Sequence, residues 1–192
     1  MSPLEMQVSF ELEINKIDSL DKPLTVDVEY WLNTAQLIFV KTRYSGNNLT
    51  HEGFEQSQKR IDDLTPLVTV LTISTSAGTD YKTNTYTALL PADYMFTISE
   101  EVSIGYNHPI TSTPTLKIQG ITECTQDRYR QEIDNPMSQY HFHYLEARPL
   151  RLYVGDYVHL ISDGNYTIPS YHLNYLRLPT DISILGTPPV AC

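Results

Sequence analysis

The chain has 192 residues, a formal net charge of −10 and 10% aromatic residues, with 14 Tyr against one Trp and five Phe. No apolar run approaches the roughly 20 residues that cross a bilayer, and the N-terminus carries neither a basic nor an apolar leader segment, which predicts a soluble protein made in the cytosol. The acidic balance argues against wrapping the outside of a nucleic acid, a mode that needs Lys and Arg to displace counterions from phosphates; it is compatible with a channel that conducts DNA without binding it, and equally with charge that only keeps the protein soluble.

Ser2, Pro3 and Glu5 supply a cap, a first-turn proline and the third residue of a capping box, so a helix is predicted from Pro3 to about Ile17. Leu4, Met6, Val8, Phe10, Leu12 and Ile14 alternate, which leaves an edge strand as the alternative. Lys22-Pro23 turns the chain before a long helix that starts near Thr25. On it Val28, Trp31, Leu32, Ala35 and Phe39 recur at helical spacing and are expected to form an apolar face that docks on the β-part or on an adjacent subunit. Gly46, Asn47 and Asn48 read as a turn, and Thr50 as the cap of a second helix with Phe54, Ile61 and Leu64 on its apolar face, stopping at Pro66.

After Pro66 the period changes from helical to two. Strands are expected at 67–74, 83–90, 94–106, 115–124, 140–146, 150–162 and 171–177, with Gly120 marking a bulge and Gly155-Asp156 a kink or hairpin. Residues 125–139 are polar and read as a loop or short helix, and Ser162-Asp163-Gly164-Asn165 as a hairpin turn. The fold class is therefore α+β. An N-terminal helical hairpin of two to three helices (1–65) precedes an antiparallel β-barrel or β-sandwich (66–186), and a Pro-rich tail follows (187–192).

Chemistry is sparse. Cys124 and Cys192 have neither zinc-site spacing nor a partner framework. Asp62-Asp63, Glu100-Glu101 and the pair Glu11 and Glu13 are neighbouring carboxylates on single elements, read as solvated charge rather than as an acid/base pair across a cleft. His141 and His143 flank Phe142 on an expected strand, where both imidazoles would share one face, yet no third ligand is evident. Arg128, Arg130, Arg148 and Arg151, interleaved with Tyr129, Tyr144 and Tyr153, form either an Arg/Tyr interface patch or ordinary salt bridges to Glu123, Asp127, Glu132 and Glu146. Tyr30, Trp31 and Tyr44 are the interface candidates of the long helix. No phosphate loop, nucleophile elbow or metal-binding spacing occurs, so no catalytic residue, cofactor or metal is assigned.

The stretches ELEINKIDS, WLNTAQLIFVKTRY and FEQSQKRIDDL, followed by a β-part containing LPADY and ending near YLRLP, resemble the ring or collar proteins of crAss-like tailed phages. The resemblance covers most of the chain. It implies a structural virion protein rather than an enzyme, a homo-oligomeric ring in the head-to-tail connector, twelve-fold by analogy with the family. It also implies contact with the portal protein and with other ring or tail proteins, a lumen through which DNA passes without specific binding, and no membrane partner. Two readings of another class stay open beside it: a β-sandwich module that binds carbohydrate or protein, and a metal-dependent hydrolase around His141 and His143.

Overall fold

Residues 2–14, 23–45, 61–78 and 82–184 are described by the computed structural model. They divide into two compact units, one comprising the chain up to Leu67 together with everything from Leu178, the other Val68–Arg177.

In the first unit, α1 (Pro3–Glu13) begins as its sequence dictates: Ser2 Oγ accepts from the Glu5 N–H, and the Glu5 carboxylate accepts from the Ser2 N–H at 2.7 Å. The capping box wins over the alternating pattern, and none of the α1 residues is buried. The helix ends at Glu13, earlier than expected, and residues 15–17 lie outside the described set. The long helix, α2 (Thr25–Ser45), buries Val28 and Val40. Its buried stripe within the single chain is not that apolar face, since Trp31 is 58% and Phe39 45% exposed. The stripe instead passes through Asn33, whose amide bonds the backbone of Ile182 twice: Nδ2 donates to its carbonyl at 3.1 Å and Oδ1 accepts from its N–H at 2.8 Å. The Ile184 N–H donates to Glu29 one helical turn earlier. A polar residue thus occupies the buried face because it holds a returning segment of chain. Of the second helix only residues 61–64 are described, followed by the 3-10 turn Thr65–Leu67; the Gly46 turn, the Thr50 cap, Phe54 and the Pro-rich tail lie outside the described residues.

The second unit is a β-sandwich of two sheets, with no closed barrel. Its strands are β1 (Val68–Ser74), β2 (Ser76–Ala77), β3 (Thr85–Leu89), β4 (Tyr94–Asn107), β5 (Pro114–Gly120), β6 (Thr122–Glu123), β7 (Leu150–Val154), β8 (Tyr157–Ile161) and β9 (Thr167–Arg177). Sheet A has the order β1-β9-β4-β5 and sheet B the order β2-β3-β8-β7-β6. Pairing is antiparallel except between β6 and β7, which run parallel. Val102, Ile104, Tyr171 and Leu173 of sheet A pack on Ala88, Val158 and Leu160 of sheet B, the alternate residues of each strand that period two sends inward. Pro169 is accommodated where the pairing of β9 with β4 slips between Ser103 and Gly105, a bulge that needs no ladder donor.

A smaller apolar cluster of Tyr140, Leu150, Leu152 and Ile161 is joined by Cys124, Tyr129 and Ile133. Tyr129 and Ile133 belong to α3 (Tyr129–Asp134), the short helix allowed for in the polar stretch, so Leu150 and Leu152 of β7 are covered by helix while Arg151 between them points the other way.

Two expectations are corrected here, and a third is decided between its alternatives. Residues 140–146 are turns with a single bridge, His143 to Glu146, rather than a strand, because Tyr140 and the Phe142 N–H are tied to the Ser162–Asp163 corner instead of to a strand edge. The 162–165 turn does not close a hairpin: β8 lies in sheet B and β9 in sheet A, so the turn carries the chain across the sandwich. Asp163 accepts from the Asn165 and Phe142 N–H groups, at 2.9 and 2.7 Å, which stiffens this crossing. The kink at 155–156 is a two-residue hairpin between β7 and β8, with Gly155 at φ +61° supplying the left-handed position.

Candidate functional site

The Arg/Tyr patch is divided by the fold. Arg151, on the core side of β7, is buried and pairs with Glu100 of β4 across the sandwich and with Glu123 of β6 at 2.9 Å. Its guanidinium also lies over the Tyr153 ring, 4.4 Å from the centroid. Tyr171 donates to Glu100 at 2.8 Å, and the Tyr153 hydroxyl meets Thr97 at 2.9 Å. Arg151 therefore takes the salt-bridge alternative, with Glu123 as the partner expected and Glu100 as one not expected. The solvated reading of Glu100 is overturned, since its side chain is only 8% exposed. Glu100 shares parity with Val102, Ile104 and Tyr106, all buried, so strict alternation carried a signal for its inward position. One cost remains, because Arg151 Nε is buried without a hydrogen-bond partner.

Arg128, Arg130 and Arg148 are exposed, and Tyr129 is half-buried with Lys82 Nζ over its ring at 4.4 Å. Tyr144, in the loop before β7, is fully exposed.

On α2, Tyr30 and Trp31 meet edge-to-face with centroids 5.9 Å apart, and both stand in solvent, at 66% and 58% exposure. Ile38, Phe39 and Tyr44 are exposed on the same helix. Arg43 stacks on Phe39 at 5.1 Å and pairs with Asp63 at 3.3 Å. The helix thus leaves several aromatic and aliphatic side chains in water.

His141 and His143 do come together, their ring centroids 5.9 Å apart, but in a loop rather than along a strand. Each is held by a backbone carbonyl, His141 by Ile133 and His143 by Pro136, both at 3.2 Å. They border a polar pocket of about 240 Å³ shared with Gln119, Glu146 and Arg148. Among the described residues no three of His, Cys, Asp and Glu gather to hold a metal ion.

Sequence reasoning missed a further surface, the outer face of sheet A. Its centre is a polar network in which the His172 ring hydrogen-bonds Thr72 at 3.0 Å and Ser103 at 2.9 Å, and Asn174 donates to Ser99 at 2.7 Å. Its two margins are aliphatic: Val70 on β1 is 71% exposed, and Leu116 and Ile118 on β5 are 72% and 59% exposed. The alternation of β5 was visible, but which phase faces inward was not. Thr115, Lys117 and Gln119 take the inner phase, and Lys117 bonds Glu146 at 3.0 Å in the loop before β7.

The buried tyrosines carry the clearest electrostatic signature. Burial, and then the Asp163 carboxylate, pushes the Tyr140 hydroxyl up to about 12 and Tyr166 higher still; burial likewise raises Tyr171, followed by its neighbour Tyr153. The folded state thus favours the neutral phenol. Its contribution to stability is complete below about pH 10, the ordinary value, and is lost as pH rises towards 12. A phenolate absorbance titration should show a cooperative step between about pH 10 and 12 coincident with loss of the near-ultraviolet dichroism. A second expectation concerns the cross-sheet pair. Arg151→Ala should lower the unfolding free energy by about 3–5 kcal/mol in a denaturant titration, because Glu100 is left charged, buried and without its cation.

No helix among the described residues is long and apolar enough to cross a membrane. A family model described as "Phage tail ring protein 3/4" matches residues 7–189. No curated protein matches the chain.

Proposed function

The chain belongs to the phage tail ring protein 3/4 family, and from that premise we propose that it is a structural subunit of a homo-oligomeric ring in the connector between the head and the tail of a virion. The observation that carries this reading is the extent of the match, residues 7–189, which takes in both the helical and the β parts. The portal protein and other ring or tail proteins are its partners above and below, and DNA passes through the lumen. The net charge of −10 supports a conduit, since an acidic wall repels the phosphate backbone and keeps it from adhering. By analogy with the family the ring is twelve-fold.

Within this reading the contact residues are of two kinds. Tyr30, Trp31 and Tyr44 of α2 offer amphipathic aromatic surface of the sort that anchors protein interfaces. Arg128, Tyr129, Arg130 and Arg148 offer a cationic rim beside α3, while Arg151 serves from beneath by fixing β7. The helical part and the β-domain act as separate modules, with the segment 178–184 returning to α2.

Mass photometry of the purified full chain, alone and mixed with portal protein, tests the reading: a single species at an integral multiple of the 21.9 kDa subunit is expected, and monomer under both conditions contradicts it. Trp31→Ala should reduce that assembled species while leaving the melting temperature of the subunit within a degree or two, because the indole is mostly in solvent.

A further inference from the structure

We propose that the two edges of sheet A join neighbouring copies, β5 of one subunit pairing antiparallel with β1 of the next, so that the sheet continues from subunit to subunit. This rests on the ring reading above and specifies the surface that closes it.

A cyclic ring needs a head-to-tail interface, in which two different patches of one chain fit each other. Sheet A offers two such patches, since β1 and β5 are its terminal strands. Strand direction decides whether they match. Every neighbouring pair in sheet A is antiparallel, β1 with β9, β9 with β4 and β4 with β5, so the four strands alternate in direction and β5 runs opposite to β1. Copies related by rotation about a ring axis point the same way, and a sheet with an even number of alternating strands therefore meets its neighbour in antiparallel register. An odd number would force a parallel junction, the less stable pairing per residue.

The side chains agree with the backbone. Paired residues share a face, and Ser74, Ser170, Ser103 and Ile118 lie level across the sheet. Val70 and Ile118 accordingly belong to the same outer face, at its opposite margins. Tilted strands in a closed sheet are staggered between neighbours, and a stagger of about four residues sets Val70 of one copy beside Ile118 of the next, taking both out of water. Natural edge strands are blunted by charge, proline or a bulge. The strand VTVLTIS of β1 carries no charge, proline or register shift along its seven residues. The only charge on β5, Lys117, is engaged by Glu146 of its own chain. Pro114 blunts β5 only at its first residue, so both edges are open to pairing along the rest of their length. Seven-residue strands supply only part of the roughly 1,600 Å² that a stable interface buries, so edge pairing sets the register while the rest of the subunit contact adds area.

Disulfide trapping tests the junction. In the full chain with Cys124→Ser and Cys192→Ser, Ile118→Cys is combined in turn with Val68→Cys, Val70→Cys and Thr72→Cys, and assembled protein is oxidised. A covalent ladder extending from dimer upward, absent from each single-cysteine variant, is the expected result for at least one pair. Rings of normal mass with no ladder from any of the three pairs overturn the edge pairing and leave the ring reading standing. Protein that never assembles, in the parent background as well, overturns both. Independently, Ile118→Asp should lower the assembled fraction at least tenfold with no change in subunit melting, since that side chain is exposed in the isolated chain; an unchanged assembled fraction overturns the proposal.

Discussion

The pairing of Glu100 with Arg151 is the constraint around which the β-unit is organised. It is the charged link between the two sheets, and both side chains are more than nine-tenths buried. A buried ion pair seldom gains net stability over an apolar pair, because desolvation offsets the attraction, but it admits few geometries. Here the geometry sets one sheet on the other: β4 contributes the carboxylate, β7 the guanidinium, and Tyr171 of β9 supplies the hydroxyl that completes the carboxylate's shell. With β7 held by its central residue, Leu150 and Leu152 are turned to the opposite side, and α3 can cover them. The inner packing, the helical layer and the orientation of sheet A's outer face all follow from that registration.

The legible parts of the fold were those in which local chemistry is decisive. Ser2, Pro3 and Glu5 started α1 against a contrary alternation, because a reciprocal pair of hydrogen bonds satisfies donors that a strand would leave to chance. Gly155-Asp156 marked a kink or a hairpin, and the left-handed backbone at Gly155 belongs to the hairpin. The α+β division at the change of period, and the family resemblance carried by the helical segments, likewise stood in the residues themselves. The illegible parts were those decided at a distance. Nothing near Asn33 signals that Ile182, far along the chain, will occupy its amide. The Asp163-Gly164 turn has the composition of a hairpin, and only the assignment of β8 and β9 to different sheets shows that it is a crossing.

The candidate residues divide by the same logic. Tyr30 and Trp31 were singled out for their chemistry and stand exposed, so the apolar face to which periodicity assigned Trp31 is not buried at that residue within the single chain. Arg151 was grouped with its sequence neighbours Arg148 and Arg128, whereas alternation along β7 gives it the opposite environment. The apolar margins of sheet A escaped notice because an exposed valine or isoleucine in a strand reads as core until the inward phase is known.

The grip of Asn33 and Glu29 on residues 182–184 has a bearing on timing. The helical unit is assembled from residues on both sides of the sandwich in the sequence, up to Leu67 and from Leu178. During synthesis the residues that complete α2's buried stripe leave the ribosome only after every strand of the β-unit has emerged. The order of manufacture is therefore sandwich first, helical unit last, and a truncated or still-nascent chain lacks the finished helical module. Such a chain is barred from any assembly step that reads the helical module, so that only subunits carrying residues 182–184 are admitted there.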